Sequence, residues 1–373
     1  MKKKNTNYKL FLRLIAGVAV SLVLVAATVI LTQGDTGSVN IGGNAADSDV
    51  SLYKRTAGVE PTDIVMTVDG QDVSAEDYLY WLSYYCDYYS EYLNYMDVSN
   101  WDTPLSEGGT VGEYIAQQSE MQTQSILTQY AVIDNWANEI GITLTEDDMA
   151  DIQAQRADSI AQLGSEEAYL QWLDTLGISD EFITRSLAHS YLTNHLYDTY
   201  CDANSTLHPD KKTLKDYTDA KEYLAASILF VDTTEMDDAE KSAVLKTMKG
   251  YAATLQKSKD IDKTFGEIAA ELGAEDTITT FTPDEVEEKV TIGVKRLYMN
   301  TASNVITTDS GYYVLVRRFP GEDRIIRDML NEEFAQRCAN AQISYNDEIY
   351  STIDTLSFYK NLLETRVVPE VQG

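Results

Sequence analysis

Residues 222–232 read EYLAASILFVD, a run too continuously apolar and too short in period for the helical sequence before it. It reads as a β-strand. Residues 311–319, GYYVLVRRF, form a second such run, in which Tyr312, Val314 and Val316 alternate with Tyr313, Leu315 and Arg317. Between them, residues 237–258 and the stretch DKTFGEIAAELG carry helical periodicity. A compact α+β unit over 220–319 follows. Within its first strand a single serine, Ser227, interrupts the apolar run and asks for a role.

The flanking sequence is helical. Ser74, Thr145, Ser165 and Ser179 stand where helix caps are needed, and Gly141 and Gly177 stand where helices end. Residues 62–215 therefore read as a helical domain opened by a short hairpin. In that hairpin Ile64, Met66 and Val68 alternate before the turn signal Asp69-Gly70. Residues 322–373 return to helical periodicity with one apolar face, so a closing helix packed on the helical domain is expected. The predicted fold is α+β, a mostly helical domain interrupted by a β-α-α-β insert.

The N-terminus differs from everything after it. Lys2, Lys3, Lys4, Lys9 and Arg13 precede an uncharged stretch of 18 residues, 14–31. That is long enough to span a bilayer, and the cations place the N-terminus in the cytoplasm. The expectation is residues 1–31 as cytoplasmic tail and single-pass anchor, with the rest outside the membrane, and a cleaved signal as the alternative. Residues 32–61, rich in Gly, Ser and Asp, read as a flexible linker. The net charge of −31, with no compensating basic stripe, argues against a nucleic-acid partner.

Several residue types bear on chemistry. Tyr78, Trp81, Tyr85, Tyr88 and Tyr92 recur on one side of a helix. They read either as core packing or as an aromatic surface for unfolded chains. His189 and His195 are six residues apart, not a metal spacing, so no metal site or cofactor is expected. Acidic clusters such as TEDDMAD and DEVEE sit at helix starts, where carboxylates favour the dipole. The three cysteines, Cys86, Cys201 and Cys338, are too few for a disulfide framework.

Together, VMTVDGQDVSAEDY, LGISDEFITRSLAHSYL, AASILFV, FGEIAAELGAED and ITTDSGYYVLVRR resemble the SurA/PrsA family of extracytoplasmic foldases, which carry a parvulin-type prolyl isomerase domain. The resemblance implies a helical chaperone domain, a parvulin-like insert and unfolded or exported polypeptides as partners, without a cofactor. It places Ser227 and Tyr313 where parvulins have histidines, and Glu275 where they have cysteine or aspartate. Phe281, Val286 and Val290 fall where apolar residues hold the proline ring. Serine and tyrosine can share a hydrogen bond, so a Ser227–Tyr313 pair could preserve the hydrogen-bonded floor beneath that ring. Without either imidazole the insert is expected to be degenerate as an isomerase, with an active isomerase or a non-catalytic envelope scaffold as alternatives.

Overall fold

The computed structural model describes residues 50–95, 100–106 and 108–366. The predicted anchor at 14–31 lies outside the described residues, as does the tether up to residue 49. Among the described residues no helix is long and apolar enough to cross a membrane. The described residues are mostly helical with two small sheets and divide into two compact units. Described residues up to Leu196 join those from Glu333 onward in one, and Tyr197–Glu332 form the other.

The first unit starts inside the expected tether. Helix α1 (Leu52–Ala57) is capped by Ser51, whose Oγ accepts from the Lys54 amide at 3.2 Å. Its Leu52 and Tyr53 are buried in the unit's main core, so the 32–61 linker reading fails for its last residues. Strands β1 (Ile64–Val68) and β2 (Gln71–Ser74) pair antiparallel through a turn at Asp69 and Gly70, with φ of 48° and 83°. Two left-handed residues match the twist of a two-residue hairpin.

Long helices α2 (Ala75–Tyr95) and α3 (Val111–Ile140) follow, then α4 (Glu146–Leu163), α5 (Glu166–Leu176) and α6 (Asp180–Cys201). Thr110 with Glu113 and Thr145 with Asp148 form reciprocal capping boxes at the starts of α3 and α4.

The second unit contains the end of α6, α7 (Lys211–Lys221), β3 (Leu224–Asp232), α8 (Asp238–Lys257), α9 (Ile261–Leu272), β4 (Ile278–Phe281), α10 (Glu288–Lys295), β5 (Ile306–Thr307) and β6 (Gly311–Arg318). Its sheet has four antiparallel strands in the order β4-β3-β6-β5, two more than the sequence reading gave. Strands β4 and β5 escape notice because they are four and two residues long and rich in threonine. The unit also extends beyond 220–319. Leu214 and Tyr223 pack with Ile325 and Ile326 of α11 (Glu322–Asn340), which carries the chain back to the first unit.

The C-terminal region is not one closing helix. After α11 come β7 (Ile343–Tyr345), α12 (Asp347–Tyr350) and α13 (Thr355–Arg366). Met66 stands opposite Tyr345 and Val68 opposite Ile343, so β7 is the third strand of the β2-β1-β7 sheet. Helix α13 packs on α1, α2 and α3 and buries Phe358, Tyr359 and Leu362.

Both α6 histidines serve packing in the first unit. His189 stacks on Tyr130 at 4.1 Å with Nε2 3.1 Å from Asp134, and His195 Nε2 lies 2.7 Å from Asp148. The His195 hydrogen bond, backed by the Thr145 amide and hydroxyl, holds the Asp148 carboxyl at about 2. A carboxyl depressed on folding stabilises the fold above its unfolded pKa and loses that contribution as pH falls through the folded value. In thermal unfolding, the stability advantage of wild type over Asp148→Asn should therefore hold above about pH 4, shrink below it and be lost as pH falls through about 2.

Candidate functional site

The two faces of the second unit's sheet are built from alternate residues. On one face Leu229 and Val231 of β3 join Tyr312, Val314 and Val316 of β6 against Met248, Leu255 and Phe265 of α8 and α9. On the other, Leu224, Ala226 and Ile228 join Tyr313 and Leu315 against α10. Both faces are covered by helices, which explains why β3 is apolar without interruption save at one position.

That position is Ser227. It is 2% exposed and stands opposite Val316, on the α8–α9 face. Its Oγ accepts from Nε of Arg318 at 3.0 Å. The same guanidinium donates to Asn300 Oδ1 at 3.1 Å and pairs with Asp262 at 2.6 Å. Arg318 is itself buried, so Ser227 supplies one of the acceptors that make a buried charge tolerable.

Tyr313 stands opposite Phe230, and the two rings stack at 4.4 Å. Its hydroxyl lies 3.3 Å from Ser310 Oγ and donates to Glu287 Oε1 at 3.4 Å. Ser310 Oγ also donates to Glu287. Hydrogen bonds from Ser310, Thr308 and Tyr313 hold the Glu287 carboxyl below its ordinary value, and burial pushes the Tyr313 phenol up. Gly311 makes this corner possible. A Cβ there would meet the Val231 carbonyl at 2.1 Å and the Phe230 ring at 2.9 Å.

Ser227 and Tyr313 therefore occupy opposite faces of the sheet. The register puts Ser227 level with Val316, three residues from Tyr313, and an odd step along a strand reverses the side chain. The hydrogen bond that the two could have shared does not exist. Glu275 is exposed in the loop before β4, and no hydrogen bond joins it to either residue. Phe281, Val286 and Val290 do come together, but Phe281 and Val290 are fully buried core packing of the α10 face rather than an open proline cradle.

The aromatic row on α2 likewise resolves toward packing. Tyr78, Trp81 and Tyr85 are buried, and Trp81 contacts Tyr80, Tyr84, Tyr85 and Tyr130 edge-on or tilted. Helix α2 is covered by the small sheet, by α3 and by α13, so these rings have no open side. Tyr88 is 58% exposed, while the side chain of Tyr92 lies outside those described.

Sequence reasoning missed Arg318, Glu287, Ser310 and Phe230. A signal existed for the first. In VLVRRF the alternation that buries Val314 and Val316 also buries the second arginine, and a buried guanidinium requires acceptors. Among the described residues no group of His, Cys, Asp and Glu is placed to hold a metal ion, and no disulfide is formed. Burial pushes the Cys338 thiol up to about 12.

No family model and no curated protein matches the chain. Among solved structures, the foldase PrsA of Streptococcus pneumoniae is 18% identical over 73% of this chain and 96% of its own, at a TM-score of 0.26. PrsA of Lactococcus lactis is 14% identical over 80% and 99%, at 0.30. A SurA-like chaperone of Campylobacter jejuni is 11% identical over 76% and 98%, at 0.19. The chain is similar to PrsA and SurA-like chaperones.

If Ser227 serves Arg318, Ser227→Ala leaves a buried charged donor short of a partner and should cost about 1–3 kcal/mol in urea unfolding. Ser227→Thr, which keeps the acceptor, should cost less.

Proposed function

We propose that the protein is a membrane-anchored extracytoplasmic chaperone that binds unfolded or exported polypeptides. Residues 14–31 supply the anchor, and the chain beyond them lies outside the membrane. The reading is carried by the large apolar side chains that the sheet unit leaves exposed, Phe230, Ile278, Tyr298 and Phe319. Exposed apolar area on a charged surface is what a holder of unfolded chains uses, since affinity then comes from burial without sequence selection. The charge of −31 keeps such complexes soluble.

In this reading the parvulin-like unit binds but does not isomerise. A proline-twisting site needs polar groups gathered on one side of an apolar cradle. Ser227 is committed to Arg318 on one face, Tyr313 to Glu287 and Ser310 on the other, and the proline-pocket residues are closed into core. Residues 220–319 contain no histidine to take their place.

The full chain in lipid nanodiscs should suppress aggregation of a reduced, unfolded client at a few-fold excess. It should leave proline-limited refolding at the uncatalysed rate, tens to hundreds of seconds at 25 °C. Absence of suppression would overturn the chaperone reading. Acceleration of refolding would overturn the non-catalytic one.

A further inference from the structure

Among the described residues, backbone groups on one border of the second unit's sheet have no hydrogen-bond partner. The hydrogen bonds along β6 settle which groups these are. The Ser303 amide donates to the Leu315 carbonyl at 2.8 Å, the Asn300 amide to the Arg317 carbonyl at 2.9 Å, and the Arg317 amide to the Thr301 carbonyl at 3.2 Å. Odd-numbered residues of β6 thus turn their backbone away from β3, and even-numbered ones face it. The latter stand opposite Ala225, Ser227, Leu229 and Val231. Leu224 and Ala226 are then the residues that bond to β4, opposite Phe281 and Thr279. Ile278 and Thr280 must direct both N–H and C=O outward.

Among the described residues no hydrogen bond reaches those outward groups. The only neighbouring contact uses the Thr280 side chain, whose Oγ1 accepts from the Gly321 amide at 2.8 Å. Sheet edges are ordinarily guarded by an inward charge, a proline, a bulge or a covering segment. Strand β4 reads ITTF, with none of these inside it, and Ile278 is 57% exposed. Acidic residues bracket the strand instead, Glu275 and Asp276 before it and Asp284 and Glu285 after it. Arg324 pairs with Glu285 at 2.9 Å and with Asp328 at 2.7 Å.

We propose that the outer edge of β4 docks an extended stretch of client polypeptide as a fifth strand of the sheet. The unpaired groups of Ile278 and Thr280 match the main chain of any extended segment, whatever its sequence. An apolar client side chain covers Ile278, and a lysine or arginine lies beside Glu275 and Asp276. Main-chain pairing over four residues is brief and weak, which suits a site that must release what it holds. The inference rests on the chaperone reading and adds the site and the preferred client chemistry, apolar segments with basic flanks.

The test uses the full chain in nanodiscs and a fluorescein-labelled peptide of alternating threonine and valine with lysine at both ends. Anisotropy should report binding, and the Ile278 and Thr280 amides should gain hydrogen-exchange protection. N-methylation of alternate peptide amides should abolish binding. Ile278→Pro removes one outward N–H at a position where an edge strand tolerates proline, and should weaken binding roughly tenfold. Ile278→Lys, which keeps the backbone intact, should weaken the same lysine-flanked peptide through charge. Aggregation suppression is measured on each variant in parallel. Wild type that suppresses aggregation, yet binds the N-methylated peptide as well as the parent, overturns the edge site and leaves the chaperone reading standing. Wild type that neither suppresses aggregation nor binds peptide overturns both. If Ile278→Pro fails to fold, the peptide pair and the exchange data still decide.

Discussion

In the second unit everything turns on the two-residue period of β3 and β6. Side chains on neighbouring positions of a strand cannot meet, whatever their chemistry. Both faces of this sheet are buried by helices, so each position is committed to one of two separate cores. A polar residue in either core must find its partners within that face. Ser227 finds Arg318, and Tyr313 finds Glu287 and Ser310. The same geometry that satisfies each group keeps the two apart.

Arg318 shows what this costs and how it is offset. A guanidinium buried beside a sheet loses its hydration, a penalty of several kcal/mol unless its donors are met. Here Ser227, Asn300 and Asp262 meet them, drawing on β3, the loop after α10 and helix α9. The serine that breaks the apolar run is thus a structural acceptor that ties three elements together. Its hydroxyl is committed to the fold.

The first unit follows a different logic with the same outcome. Its tyrosines and tryptophans lie along one long helix, and the pattern alone fits either a buried or an open face. Burial follows from the third dimension. Residues 343–345 return to complete the small sheet, and α13 returns to cover α1, α2 and α3. A C-terminal helix packed on this unit was expected from its apolar face, but the strand at 343–345 and the surface the helix covers were not visible locally. A three-residue strand carries almost no periodic signal, and α13 lies more than two hundred residues from the aromatic row it covers.

The sequence by itself determined the elements with strong local physics. Capped helices, the Asp69-Gly70 hairpin, the two long strands and the α+β class were all legible, because caps, turns and apolar periods act over a few residues. Only the tertiary structure decided which face each strand residue joins, which aromatic rings are covered and where the sheet ends. Those depend on register and on partners distant in the chain. A slip of one residue in register would have put Ser227 opposite Leu315, on the same face as Tyr313, and left the composition of the strand unchanged.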